Sequence, residues 1–406
     1  MSRTYQIANN KYQHWDVKIL LCNKFYYRRG GDCIYTMNLE QLLKSHGHEV
    51  AIFSQQYPLN EPSPWSKYWP SEFKMKPSLN MFDSLLRPFG QGTVPKKFKA
   101  ILDDFQPDVV HLNNIHTQLS PILAELAHER GIRVIWTLHD TKLVCPCYTC
   151  MRDGKWCEEC FADKRAVLRH KCMTGGALGS YIGYQEAKTW TAERLQSLVD
   201  QFICPSQFMA NTMKRGGFDD AKLMVMSNFI GINKVNDSLA PKQDYYVYLG
   251  QLNPIKGIRT LCKAAAALPY KLIVIGGGFI EEELRSTYAQ AENIEFKGQL
   301  NWSEIKPLVA GAKMMVLPSE CSENNPISII ESLSFGTPVL GANIGGIPEL
   351  LNESNGSVFE SGNQVQLQDA IMAMWSKTFD YEKISADAIV KYGDTNYYHQ
   401  LLNLYQ

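Results

Sequence analysis

Glu323 and Glu331 stand eight residues apart in SECSENNPISIIESLSFGTPVLGANIGGIPEL, residues 319–350. One carboxylate falls on a loop and the other inside an apolar helical pattern, with Asn324, Asn325 and Pro326 between them. The first N–H groups of a helix lack partners and form the positive end of its dipole, so such a terminus attracts anions. Two carboxylates beside it can hold the hydroxyls of a sugar nucleotide while the helix end holds the phosphates. Pro326 suits the first helical position, Asn325 suits the N-cap, and Gly336 suits the C-cap. Spacing alone favours a bland reading, a solvated loop glutamate and an exposed helical one. However, Ile327, Ile329, Ile330, Leu333 and Phe335 make the helix apolar nearly all round and therefore buried. A buried carboxylate needs a partner or a ligand.

Two other places offer groups for an anion. Arg28-Arg29-Gly30-Gly31 follows the first strand pattern and opens a helix. Glycine allows the backbone to approach a phosphate closely, although a plain tight turn fits the same residues. GQLNPIKG, residues 250–257, follows the first strand of the second half and sets Lys256 just before a helix. Out of context, Lys256 reads as a solvated lysine and Gly276-Gly277-Gly278 as a turn. No GxGxxG dinucleotide fingerprint is present.

These residues need a scaffold of strands and helices. In the first half, strand patterns cover Val17–Cys22, Glu49–Ser54, Asp108–Asn113, Arg133–His139 and Gln201–Ser206. Helical patterns between them cover Asp32–Ser45, Gln118–Glu129 and Glu186–Leu198. The second half repeats the scheme with Tyr245–Gly250, Lys271–Gly276, Asn293–Gly298, Met314–Pro318 and Pro338–Gly341. Unbroken apolar strands separated by helices imply parallel sheets covered on both faces. The expected class is α/β, with two Rossmann-like, doubly wound domains facing a central cleft. The boundaries read as an N-terminal domain 1–229, a polar linker 230–244, a C-terminal domain 245–379, and closing helices 380–406 that pack back on the first domain. Ligands of such sheets bind beyond the carboxyl ends of the strands, and Glu323 directly follows one.

With 406 residues, the chain is long enough for two cores. Its formal net charge is +0, which argues against nucleic-acid binding. The polar start MSRTYQIANN carries no signal-peptide pattern, and no apolar run reaches the ~18–20 residues of a membrane span. The expected compartment is the cytosol, where cysteines are usually reduced. Six of the 11 cysteines crowd into residues 145–172: Cys145, Cys147, Cys150, Cys157, Cys160 and Cys172. Such density points to structural zinc ahead of buried thiols or a redox role. Cys157 and Cys160 would supply one half of the site, and Cys172 with one of Cys145, Cys147 or Cys150 the other, with Cys145 the working choice. Residues 57–99 interleave lysines and arginines with Trp65, Tyr68, Trp69, Phe73, Phe82 and Phe89. The plainer reading is a lid or acceptor loop; the other is contact with an anionic leaflet.

Taken together, the chain resembles the family 4 glycosyltransferases, retaining enzymes of the GT-B fold. The resemblance runs through Gly30-Gly31, LHD (138–140), PSQF (205–208), SNFIGIN (227–233), GQLNPIKG and the glycine triplet. It is most specific in the 319–350 block. A similar cysteine-bearing insertion occurs in a bacterial subgroup from polysaccharide gene clusters. The resemblance implies transfer of a sugar from a UDP-, GDP- or ADP-sugar to a glycan or polyprenyl-diphosphate-linked acceptor, at most peripherally at the inner face of the membrane. It implies that Glu331 holds the ribose hydroxyls, that Glu323 approaches the transferred sugar, and that His139 contacts that sugar from the first domain. Asn324, Asn325, Pro326 and Ile327 would line the sugar and diphosphate through their backbones, with Ser328 near the phosphates. Lys256 and the Gly31 amide would meet the diphosphate from opposite sides. No catalytic metal is implied, because cations and helix dipoles can stabilise the leaving group.

One residue departs from the family pattern. Gln251 stands where the family usually has an arginine, which removes a cation from the leaving-group site. Loss of a comparable donor costs other enzymes about 3 kcal/mol in the transition state; Arg259 is close enough in sequence to compensate. The departure keeps alive a rival reading as a non-catalytic binding or scaffolding subunit. A sugar-nucleotide epimerase is the rival enzyme.

Overall fold

The computed structural model describes residues 16–75, 81–231 and 239–406. The centre of the expected linker, the end of SNFIGIN and Lys76 lie outside the described residues. The first half forms a six-stranded parallel sheet from β1 (Lys18–Cys22), β2 (Glu49–Phe53), β3 (Val109–Leu112) and β4 (Arg133–Thr137). A short antiparallel hairpin, β5 (Met151–Arg152) and β6 (Lys155–Trp156), interrupts it. The sheet is completed by β7 (Gln201–Cys204) and β8 (Leu223–Val225) in the order β2-β1-β3-β4-β7-β8. The second half uses β9 (Tyr245–Leu249), β10 (Lys271–Ile275), β11 (Ile294–Gly298), β12 (Met315–Leu317), β13 (Val339–Ala342) and β14 (Gly356–Phe359). Its order is β11-β10-β9-β12-β13-β14. Both sheets are doubly wound, and their central strands KILLC, VVHL, YYVYL and MVL are almost wholly buried.

Strand order reverses beside β1 in the first sheet and beside β9 in the second. These switch points are where open α/β sheets accept ligands. The chain leaves β1 into Arg28–Gly31, β9 into Gly250–Lys256, and β12 into the Glu323 loop. All three segments therefore belong to the carboxyl edges.

Several elements differ from the sequence expectation. The helix expected over Glu186–Leu198 is two helices, Gly176–Thr189 and Ala192–Leu198. Between them Trp190 turns its indole N–H to the Pro88 carbonyl at 2.8 Å, and Thr191 caps the second helix through the Arg194 N–H. The helix expected over Gln118–Glu129 begins only at Ile122, because Thr117 and Ser120 take positive φ. Residues 57–99 are less irregular than expected, since the helix Thr93–Phe105 starts there and buries Val94, Phe98, Ile101, Leu102 and Phe105. Trp69 is buried, and Arg87 is fully enclosed against Asp83.

The last helix, Asp394–Tyr405, lies against the first sheet. The Tyr397 hydroxyl meets that of Tyr35, Tyr405 lies 2.7 Å from His111 Nδ1, and Tyr398 lies 2.8 Å from His48 Nε2. No helix among the described residues is long and apolar enough to cross a membrane.

Candidate active site

The helix of the glutamate block runs Ile327–Ser334, with Pro326 as its last non-helical residue (ψ 116°). It starts one residue later than expected, and Asn325 does not cap it. Instead, Asn325 Oδ1 accepts the Asn228 N–H at 3.0 Å, and its carbonyl accepts Asn228 Nδ2 at 2.7 Å. The helix stops at Gly336 (φ 66°). There the Gly336 N–H returns to Leu333 O and the Thr337 N–H to Ser332 O, both at 2.9 Å, which closes the end with a left-handed residue.

Gly345 and Gly346 fix the other side of the loop. A Cβ on Gly345 would lie 2.2 Å from Glu323 O, and one on Gly346 would lie 1.9 Å from Asn324 O. Only glycine permits this contact, and the Gly346 N–H donates to Glu323 O at 2.7 Å. The Glu323 side chain is held by Lys256 Nζ at 2.7 Å and Ser319 Oγ at 2.9 Å, both on Oε1. Burial pulls the Lys256 ammonium down, but Glu323, with help from Cys321, outweighs it, and the net shift is upward.

These residues open onto a cavity of about 630 Å³ between the two halves. The second half contributes Gln251, Lys256, Glu323, Pro326, Ile327, Ser328 and Glu331; the first contributes Arg28, Arg29, Gly30 and Gly31. A Cβ on Gly31 would meet nothing within 4 Å, so the helix Gly31–Ser45 presents an unobstructed start. Trp302, Ile305 and Leu249 add apolar wall. Burial pushes the Glu331 carboxyl up to about 8, against the pull of Arg28. Gln251 is exposed in the cavity, and its backbone carbonyl accepts the Tyr248 hydroxyl at 2.8 Å. Arg259 does not replace the missing charge there, because its guanidinium is paired with both oxygens of Glu283, at 2.8 and 2.6 Å.

Other expected site residues lie outside the cavity lining. Asn324 ties the halves together, accepting Ser206 Oγ at 2.7 Å and donating to Leu138 O at 2.8 Å. Beside it, the Glu349 carboxylate accepts the N–H groups of Gln207 and Phe208 at 2.7 and 2.6 Å. His139 sits 3.0 Å from Asn113 Oδ1 and edge-on to Tyr35. Burial pulls its imidazole down to about 4, against the pull of Asp32 and Asp140. Sequence reasoning missed Arg28 and Arg29 as cavity residues, although their place beside the glycine pair was a signal. It also missed Trp302, which had none.

All six clustered cysteines and His170 line one small chamber built around the β5–β6 hairpin. Cys145 Sγ lies 3.3 Å from Cys147 Sγ. The neighbouring thiols, Cys147 foremost and then Cys150 and Cys160, hold the Cys145 thiol far below its usual value, while Cys145 and burial push theirs upward. All the cysteines are free. Among the described residues, no group of three or more His, Cys, Asp or Glu side chains is arranged to hold a metal ion.

Two doubly wound sheets whose switch points face across one cavity make a GT-B fold, and the chain belongs to glycosyltransferase family 4. The Glycosyltransferase Family 4 model matches residues 29–234, and that of Glycosyl transferases group 1 matches residues 232–392. The protein is a glycosyltransferase. It is 23% identical over 353 residues to a 42.6 kDa protein of the cps region of Klebsiella pneumoniae, covering 82% of this chain and 87% of that one. It is 18% identical over 395 residues to the N-acetyl-alpha-D-glucosaminyl L-malate synthase of Bacillus anthracis, covering 92% and 94%. Anabaena HepE in complex with UDP matches with a TM-score of 0.63 at 16% identity, over 95% of this chain and 98% of that one. The lipopolysaccharide outer core galactosyltransferase WaaB matches with a TM-score of 0.64 at 15% identity over the same shares.

Proposed function

We propose that the protein transfers a hexosyl group, with retention of configuration, from a nucleotide sugar to a glycan or lipid-linked glycan in polysaccharide assembly. The observation that carries this reading is the Lys256–Glu323 pair at the carboxyl edge of the second sheet, with Glu331 in the same cavity. A UDP-sugar is the first donor to test, because HepE binds UDP; GDP- and ADP-sugars follow. Glu331 takes the ribose hydroxyls. Lys256, the Gly31 N–H and the helix start after Pro326 stabilise the diphosphate as the sugar–oxygen bond breaks. The acceptor hydroxyl attacks C1 on the face the diphosphate leaves, and its proton passes to the departing phosphate oxygen. Glu323 Oε1 already accepts two hydrogen bonds, which favours this same-face course over a covalent intermediate on Glu323. His139, held uncharged near neutral pH, contacts the sugar only if the halves close further.

A structural zinc on Cys145, Cys157, Cys160 and Cys172 belongs to the same proposal. It is supported by the lining of one chamber by these four side chains, which would have to rearrange around the ion, because no three of them are arranged to hold one and Cys145 Sγ lies nearest Cys147 Sγ, at 3.3 Å. Contact with a membrane face keeps the support of exposed Phe82, Lys96 and Lys99, but not of Trp69 or Arg87. The test of function is turnover of UDP-, GDP- and ADP-sugars, with the anomeric configuration of the product read by NMR. An inverted product overturns retention. Donor binding without turnover on any acceptor favours the scaffolding reading that Gln251 suggests.

A further inference from the structure

The charges around the cavity do not balance on one side alone. The second half places one cation, Lys256, beside two carboxylates, Glu323 and Glu331, and Lys256 is already bonded to Glu323. With Glu331 protonated, Lys256 and Glu323 cancel, and with it ionised this wall is net negative, so in neither state does it offer a diphosphate a net positive charge. Arg259 adds none because Glu283 holds it.

The opposite wall is different. Arg28 and Arg29 line the cavity and are exposed, and neither makes a hydrogen bond or ion pair with another described residue. Arg29 is positioned by the Phe25 ring, whose centroid lies 4.6 Å from the guanidinium carbon. Arg28 stands close enough to act electrostatically on Glu331 across the cleft. Two guanidiniums with no ion-pair partner among the described residues stand beside Gly30 and Gly31, a fork suited to phosphate oxygens.

We propose that Arg28 and Arg29 clamp the donor diphosphate from the first half, opposite Lys256, and supply the positive charge that Gln251 does not. This rests on the donor-site reading above. The diphosphate then bridges the two halves. When the bond from C1 to the phosphate oxygen breaks, the electron pair stays on that oxygen and the acceptor proton joins it. The arginines thus face the charge as it grows.

The test is calorimetric titration of the full-length protein and its R28A/R29A variant with UDP, GDP and ADP, and with the matching nucleosides. For each diphosphate that the unaltered protein binds, the variant should bind at least about tenfold more weakly, while affinity for the nucleoside changes little. R28K/R29K should recover part of the loss, and the salt dependence of binding should flatten in the alanine variant. Equal diphosphate affinity in the two proteins overturns the clamp alone. Failure of the unaltered protein to bind any of the three overturns the donor-site reading and the clamp with it.

Discussion

Lys256 Nζ lies 2.7 Å from Glu323 Oε1, joining the loop after β9 to the loop after β12 in the lining of the cavity between the two halves. The contact matters twice. It fixes Glu323 on its loop, and in the proposed mechanism it keeps a cation where a departing diphosphate would need one. Lys256→Ala removes both effects. The expected loss in kcat is about 10²–10³-fold, comparable to deleting one transition-state donor. Steady-state release of nucleoside diphosphate checks it, and near-normal kcat would remove Lys256 from the chemistry.

Glu331 gives the site a pH dependence. Its carboxyl is raised from 4.5 to about 8 by burial. Ribose hydroxyls donate better to the carboxylate than to the acid. Donor affinity should therefore rise as pH increases towards about 8 and level off above it. Glu331→Gln should abolish this dependence. The linkage to stability has the opposite sign. Between 4.5 and about 8 the folded state holds a proton that the unfolded state has released, so this group's contribution falls as pH rises through that window. Urea unfolding at the two ends, compared with Glu331→Gln, measures it.

The glycines separate packing from approach. Gly346→Ala forces a Cβ to within 1.9 Å of Asn324 O. It should destabilise the protein by about 1–3 kcal/mol and lower turnover by moving the Glu323 loop. Gly31→Ala has open space and ordinary φ. It should leave the melting temperature almost unchanged while weakening donor binding, because the new methyl would stand where the proposed mechanism brings a phosphate.

Much of the scaffold is legible in the chain because central parallel strands are buried on both faces and read as unbroken apolar runs. Of the four edge strands, β2 and β11 are legible and β8 and β14 are not. Met224, Val225 and Val358 are each about 40% exposed, and β8 and β14 are short, so no run stands out. Lys256, Glu323 and Glu331 are legible because a strand end or helix start places each one locally. The role of Asn325 is not, because it depends on a partner far along the chain. Asn325 meets the backbone of Asn228 rather than its own helix, a competition that local capping preference does not register.

The cysteine chamber yields a metal prediction. The purified protein should contain about one zinc per chain. Cys157→Ser with Cys160→Ser should remove the zinc and lower the melting temperature. A folded protein without zinc, as stable as that double variant, overturns the assignment.

The central claim is that this cavity binds and cleaves a nucleotide sugar. Its most direct measurement is time-dependent release of UDP, GDP or ADP from the matching sugar nucleotides by the unaltered protein beside Glu331→Ala. The account predicts release with at least one donor, and loss of both donor binding and release in the variant. No release and no binding with any donor, or unchanged affinity in Glu331→Ala, would contradict it.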